Sequence, residues 1–147
     1  MKNKIPILLF LFLLVTVSAF SQMPEVYSTE AGAIGGWDPV AFFKENQPVQ
    51  GKQELVFQWN GADWHFSTQE NLEAFKAEPD HYAPQYGGYC AYGTAAGHKS
   101  PTVPETGAII NGKLYFNYNA AVQKLFNKNQ KGLIEQADKN WPKVKKE

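Results

Sequence analysis

Alternating apolar and polar positions in the middle of the chain predict a β-hairpin. Residues 55–59 read Leu-Val-Phe-Gln-Trp, an Asn-Gly dipeptide stands at 60–61, and Trp64 and Phe66 then flank His65. Asn-Gly between two such segments is the strongest short-range signal for a two-residue hairpin turn. Because successive side chains of a strand point to opposite faces, Trp64 and Phe66 are expected to share one face and His65 to face solvent or a groove.

The same pattern occurs again in the second half of the chain. Residues 108–110 read Ala-Ile-Ile, a second Asn-Gly dipeptide stands at 111–112, and residues 114–118 read Leu-Tyr-Phe-Asn-Tyr. These features predict a second hairpin with the same kind of turn.

Helix signals surround both hairpins. Asp38 before Pro39 is typical of a helix start, which explains Asp38 as a cap rather than a functional carboxylate. Ser67 with Glu70 three residues later has the form of a capping box. The predicted helices cover residues 37–43, 67–77, 90–97, 120–127 and 131–140. The sequence therefore predicts an α+β fold, in which a small antiparallel sheet built from the two hairpins carries short helices packed on it.

The first 21 residues have the three parts of a secretory signal peptide. Lys2 and Lys4 form a basic start, residues 5–17 are almost wholly apolar, and residues 19–21 read Ala-Phe-Ser, the form of a signal peptidase site. The apolar run is short for a membrane-spanning helix, so an uncleaved anchor is the less favoured alternative. We expect cleavage before Gln22, a periplasmic or secreted protein, and no stable membrane insertion after cleavage.

The remaining chain has the length of one domain. Residues 22–36 show little periodicity and end in a Gly-rich run, so they are interpreted as a leader. No linker or internal repeat interrupts residues 37–142, which are assigned to a single domain. The Lys-rich residues 143–147 are interpreted as a tail.

Composition excludes several classes of function. The first 21 residues contribute two of the 14 basic residues and none of the 14 acidic ones, which leaves a net charge of −2. That balance argues against nucleic acid or an anionic membrane surface as a partner. The single cysteine cannot form an intramolecular disulfide. The chain also lacks the common catalytic motifs, among them Gly-x-Ser-x-Gly, His-Glu-x-x-His and Cys-x-x-Cys.

Five motifs follow one another along the chain. They are Trp-Asp-Pro-Val-Ala-Phe-Phe at 37–43, Trp-His-Phe-Ser at 64–67, a Phe-Pro-Tyr series at 75, 79 and 82, Tyr-Gly-Gly-Tyr-Cys-Ala at 86–91, and Gly-Lys-Leu-Tyr-Phe-Asn-Tyr at 112–118. In this order they resemble the motifs of exported YHS-domain proteins, and the resemblance extends over nearly all of the chain after the leader.

The resemblance implies a treble-clef-like fold. It also implies a relation to the small metal-binding modules of copper-transporting ATPases, with which the cysteine-bearing members of the family are grouped. In those members the helix start reads Phe-Cys-Ser-x-x-Cys. In this chain the two cysteine positions fall on Ser67 and Asn71, and neither side chain supplies a thiolate. The metal role of those members therefore does not transfer residue by residue.

Cys90 is the first candidate functional residue. A thiolate is both a nucleophile and a soft metal ligand, and a helix N-terminus lowers its pKa. The alternative is a small buried apolar residue. Together with His65, His81 and His98, Cys90 would offer thiolate and imidazole ligands to copper or zinc. The spacing of these four residues matches no known ligand pattern, so surface histidines are the alternative.

The stretch 79–92 holds the only cysteine and four of the seven tyrosines. Tyr86, Tyr89 and Tyr92 are candidates to line a pocket with polar tips, or else simply to pack. The leading hypothesis is an exported small binding domain that takes copper, zinc or a small ligand near Cys90. The alternatives are a thiol-dependent enzyme or redox sensor that uses Cys90, and a structural or protein-interaction module without a cofactor. The absence of a catalytic motif favours a protein that is not an enzyme.

Overall fold

The computed structural model describes residues 21–147, so the predicted signal peptide lies outside the described residues except for Ser21. The described part of the chain forms six α-helices and three two-stranded antiparallel sheets, which confirms the predicted α+β class. The helices are α1 (Pro39–Glu45), α2 (Gln69–Ala77), α3 (Pro79–Tyr82), α4 (Ala91–Ala96), α5 (Ala120–Asn127) and α6 (Gln130–Val144). Within residues 21–147 no helix is long and apolar enough to cross a membrane.

The strands pair as three hairpins. They are β1 (Ser28–Thr29) with β2 (Gly32–Ala33), β3 (Lys52–Trp59) with β4 (Ala62–Phe66), and β5 (Ala108–Ile110) with β6 (Lys113–Tyr115). Both predicted hairpins are present, but each forms a sheet of its own instead of sharing one. Asn60 and Asn111 have φ of 49° and 50°, and each is followed by a glycine at 74°. Positive φ at both central residues is the type I′ geometry for which Asn-Gly is preferred.

Aromatic packing forms the first of two apolar clusters. Trp64 and Phe66 of β4 are buried, while His65 between them is half-buried, as the alternation predicts. The ring of Phe75 from α2 lies 5.2 Å from the ring centres of both Trp64 and Phe66. Helix α2 is thereby fixed on the β3–β4 hairpin.

A second apolar cluster joins α4, α5, α6 and the β5–β6 hairpin. Its buried members are Tyr86, Ala91, Tyr115, Phe126 and Ala137. Trp141 packs against this cluster, with its ring 5.9 Å from that of Tyr86. Tyr86 lies in a tight turn (Gln85–Gly88) that follows α3. This turn connects the two clusters along the chain.

Residues 22–36, which we call the N-terminal segment, are part of the fold rather than a loose leader. Val26, Ala33 and Ile34 are buried in the first cluster. The amide of Tyr27 donates to the carbonyl of Gly87 at 2.9 Å, which ties the segment to the Gln85–Gly88 turn. Little periodicity is visible in this segment because it is held by contacts with distant parts of the chain.

The C-terminus is also fixed. Helix α6 continues through Pro142 to Val144, beyond the predicted end at residue 140. Proline inside a helix removes one backbone hydrogen bond. Val144 is 1 % exposed, and the carbonyl of Glu147 accepts from the amide of Met23 at 3.0 Å. These contacts hold residues 143–147 in place, so that they do not form a free tail.

Candidate functional site

Cys90 lies inside the molecule and is held from three sides. It lies at the predicted start of the helix, as the N-cap of α4, and is 1 % exposed. The sulfur accepts from the amides of Gly93 at 3.4 Å and Tyr118 at 3.2 Å, and lies 3.6 Å from the Asn117 Oδ1 that its thiol can donate to. These contacts join α4 to the segment after β6, which gives Cys90 a structural role.

The three histidines lie in different surroundings. A ring nitrogen of His65 is 3.2 Å from the carbonyl of Lys52 on the paired strand. His81 is exposed in α3, and its ring centre is 5.1 Å from that of Phe43. His98 is exposed just after α4.

Cys90 and the three histidines do not come together as a ligand set. Residues 21–147 contain no group of three or more His, Cys, Asp or Glu side chains placed to hold a metal ion. Cys90 and the three histidines are thus distant in the sequence, and the fold does not bring them together. Binding of copper or zinc stays a prediction without support from this geometry.

Ser67 and Asn71 meet at a buried carboxylate. Asp38 is fully buried, and its Oδ1 accepts from the amides of Val40 and Ala41 at 2.9 and 3.2 Å, the predicted cap of α1. Its Oδ2 accepts from the Ser67 amide at 2.8 Å, the Ser67 hydroxyl at 2.7 Å and the Asn71 amide group at 2.7 Å. The side chains at the two cysteine positions of the YHS resemblance thus form a clamp between α1 and α2.

This clamp moves the start of α2 from the predicted position. Ser67 points to Asp38, so Thr68 is the N-cap and accepts from the amide of Asn71 at 3.1 Å. Glu70 pairs instead with Lys44 at 2.9 Å, and that hydrogen bond and positive charge lower the pKa of Glu70. The expected Ser67–Glu70 capping box is wrong because a stronger acceptor, the Asp38 carboxylate, competes for Ser67.

The three candidate tyrosines have separate partners. The hydroxyl of Tyr89 donates to the carbonyl of Pro24 at 2.8 Å, and its ring lies 5.5 Å below the ammonium group of Lys99. Tyr92 is half-buried and packs against the second apolar cluster. Of the three, only Tyr86 lines the cleft between the two apolar clusters.

The cleft measures about 480 Å³ and lies where the two apolar clusters meet. This volume is within the range of small-molecule sites. Its walls come from the N-terminal segment, the turn of the β3–β4 hairpin, α3 with the turn that follows it, and the end of α6. Half of the lining residues are aromatic or acidic: Trp59, Trp64, Tyr86 and Trp141, with Glu25, Asp80 and Asp138.

The aromatic walls are held by hydrogen bonds. The indole N–H of Trp64 donates to the carbonyl of Trp59 at 3.0 Å. The hydroxyl of Tyr86 donates to Asp138 Oδ1 at 2.9 Å, which connects the turn after α3 to α6. Side chains held in this way need little reorganisation when a ligand enters, which lowers the cost of binding.

The cleft is acidic. Among its lining residues there is no lysine, arginine or histidine. A basic group outside the lining, Lys145, lies 3.9 Å from Glu25. Burial raises the pKa of Tyr86 well above its ordinary value, and the hydrogen bond to Asp138 and the negative charge there raise it further. The Tyr86 phenol therefore stays neutral and stays a donor to Asp138.

Comparison of the chain with family models, curated proteins and solved structures finds no match. The resemblance to exported YHS-domain proteins accordingly stays a prediction. The candidate site is supported by the geometry of the cleft alone.

Most residues of the cleft were not candidates in the sequence. Trp59 and Trp141 are more than 80 positions apart, and the three carboxylates lie in three further stretches. No local spacing connects them, because the fold alone brings them together. The stretch 79–92 did point to this region, since it contributes Asp80 and Tyr86, but Cys90 in the same stretch belongs to the interior.

Proposed function

We propose that this protein is a small ligand-binding domain whose ligand occupies the cleft beside Tyr86. The observation that carries the proposal is a cleft of about 480 Å³ whose walls combine four aromatic side chains with three carboxylates. Small-molecule sites in proteins are usually concave and combine hydrophobic and aromatic side chains with a few polar groups. The proposed site is on the Tyr86 side of the stretch 79–92 and does not include the Cys90 sulfur.

We further propose that the domain acts outside the cytoplasm and is related to exported YHS-domain proteins. The signal-peptide features of residues 1–21 support export. The relationship is supported by the five motifs and by the way Ser67 and Asn71 face one another, with the Ser67 hydroxyl 3.4 Å from the Asn71 side-chain nitrogen. Two cysteines at these positions would be close in space.

The predicted roles of Cys90 have less support from the geometry. Redox sensors use thiols that solvent reaches, whereas Cys90 is 1 % exposed. A metal ligand needs partners, and residues 21–147 bring no such group together. These roles stay predictions, and the cleft is the better-supported site.

Tryptophan side chains make the proposal testable by NMR. The described chain has four tryptophans, of which Trp59, Trp64 and Trp141 line the cleft while Trp37 does not. A library of small-molecule fragments should contain members that shift the indole N–H signals of Trp59 and Trp141 and leave that of Trp37 unchanged.

Two variants check where the fragments bind. Trp141→Leu should weaken the fragments that shift Trp59, because it removes one wall of the cleft. Tyr118→Leu removes an aromatic ring that is 49 % exposed and not part of the cleft, and should have no effect. A library that shifts no signal of the cleft, or shifts all four tryptophans alike, would contradict the proposal.

A further inference from the structure

The charge of the cleft restricts the chemistry of a ligand. Glu25, Asp80 and Asp138 all line it, and no basic side chain does. All three carboxylates are exposed, so solvent screens each of them, but all act in the same direction: they attract cations and repel anions. Anionic ligands such as phosphates, nucleotides and carboxylic acids are therefore poor candidates.

The carboxylates of the cleft do not form a group that could hold a metal ion. No three acidic, histidine or cysteine side chains within residues 21–147 form a group that could coordinate one. Negative charge spread over a cleft of about 480 Å³ suits a cation of molecular size better than a bare ion. The ligand should thus carry its charge on an organic group.

The aromatic walls favour the same kind of ligand. Trp59 and Trp64 are inclined at 58° with ring centres 6.1 Å apart. Tyr86 and Trp141 are inclined at 65° with ring centres 5.9 Å apart. Each pair forms a corner, in which Trp59 and Trp141 are half-buried and can contact a ligand, while Trp64 and Tyr86 are 1 % and 4 % exposed and support them from behind. Several aromatic rings around a site are the common means of binding quaternary ammonium groups, because the ring face attracts a cation.

We propose that the cleft binds a small organic cation, an amine or a quaternary ammonium compound, between its aromatic corners and its carboxylates. This inference rests on the proposed function, since it names the class of ligand for the same cleft. Aromatic rings contribute the contact with the alkyl groups and part of the attraction to the charge. The carboxylates of Asp80 and Asp138 supply the rest of the attraction.

A pair of nearly isosteric probes separates charge from shape. Choline and 3,3-dimethyl-1-butanol have almost the same shape, but only choline is charged. Titration of the purified protein, followed by the Trp59 and Trp141 signals, should show choline binding at least about tenfold more tightly than the neutral alcohol, a factor that corresponds to a cation–π and charge contribution of about 1.4 kcal/mol. Tetramethylammonium and butylammonium extend the test to other cations.

A matched pair of variants on α6 locates the charge effect. Asp138→Asn removes a charge of the cleft and keeps an oxygen that accepts from the Tyr86 hydroxyl, so the fold should be preserved. It should weaken choline about fivefold or more and leave 3,3-dimethyl-1-butanol unchanged. Glu135→Gln removes an acidic charge from the same helix outside the cleft and should leave both probes unchanged. The Trp37 signal reports whether each variant stays folded.

The outcomes distinguish this inference from the proposed function. If neutral fragments bind in the cleft and none of the three cations binds better than the alcohol, the ligand class is wrong while a ligand-binding cleft remains. If neither the cations nor any fragment shifts the cleft signals, both proposals fail. Equal weakening of choline by Asp138→Asn and Glu135→Gln would also overturn the inference, because the effect would then be one of overall charge.

Discussion

Removal of the Asp38 carboxylate should destabilise the fold strongly. In Asp38→Ala five hydrogen-bond donors lose their acceptor: the amides of Val40, Ala41 and Ser67, the Ser67 hydroxyl and the Asn71 side chain. Loss of the helix cap alone costs about 1 kcal/mol. A buried donor left without a partner costs roughly 1–3 kcal/mol, although the Ser67 hydroxyl can turn toward another acceptor.

The cap and the two donors that cannot turn away, the Ser67 amide and the Asn71 side chain, together give a loss of about 3–7 kcal/mol in the free energy of unfolding. Such a loss is large for a domain whose total stability is on the order of 5–15 kcal/mol. Asp38→Asn should lose about 2–3 kcal/mol, because its oxygen can still cap α1 while its NH₂ group faces the donors of Ser67 and Asn71. Hydrogen bonds to a charged acceptor are also stronger than those to a neutral amide.

Urea unfolding followed by tryptophan fluorescence and circular dichroism measures both losses. Asp63→Asn is the matched control, since Asp63 is exposed and has one long hydrogen bond from Gln58 at 3.4 Å. Its free energy of unfolding should stay within about 0.5 kcal/mol of the parent. A loss below about 1 kcal/mol for Asp38→Ala, with the slope of the transition unchanged, would refute the view that this carboxylate fixes α1 to α2.

Three further predictions concern other parts of the fold. The pKa of Tyr86 is higher in the folded chain than in the unfolded chain, where it is about 10, so the stability that Tyr86 contributes is present below about pH 10 and declines above it. Ultraviolet titration should show Tyr86 ionising only on unfolding, and ionisation together with the exposed Tyr118 would contradict this. Gly87→Ala should lose about 2–4 kcal/mol of stability, because φ is +62° and a Cβ would collide with the N-terminal segment. Gly112→Ala, with φ of +74° in open surroundings, should lose about 1 kcal/mol, and equal urea midpoints of the two variants would contradict this difference. Cys90 should react with an aromatic disulfide reagent at least about a thousandfold more slowly in the folded than in the unfolded protein, and rapid labelling of the folded protein would show that α4 opens easily.

Local signals account for what the sequence predicts correctly. The Asn-Gly turns, the cap at Asp38 and the helix that starts at Cys90 each depend on residues no more than a few positions apart. Turn and cap preferences come from the backbone angles and hydrogen bonds of single residues. They therefore hold whatever the rest of the chain does.

The structure differs from the sequence-based prediction where residues distant in the chain compete or cooperate. Ser67 is a good N-cap by local rules, yet the buried Asp38 carboxylate attracts it and Thr68 takes its place. The N-terminal segment has no periodicity of its own, yet the burial of Val26 and Ile34 fixes it in the core. A buried charged acceptor and a set of long-range apolar contacts each outweigh a local preference of about 1 kcal/mol.

The backbone at Tyr86 gives a separate physical argument for the importance of this turn. Tyr86 has φ of 57°, in the left-handed region that costs a residue with a Cβ roughly 1–3 kcal/mol. Glycine would adopt this conformation without strain, and glycines do occupy the next two positions. The contacts of the Tyr86 side chain must therefore stabilise the protein by more than the backbone strain costs. Its contacts with Asp138 and Trp141 form one corner of the cleft. Tyr86→Gly would relieve the backbone but also remove a ring that is 4 % exposed in the second apolar cluster, so urea unfolding should show a loss of stability and NMR titration a loss of choline binding; a variant that keeps full stability would contradict the view that the ring contacts outweigh the strain.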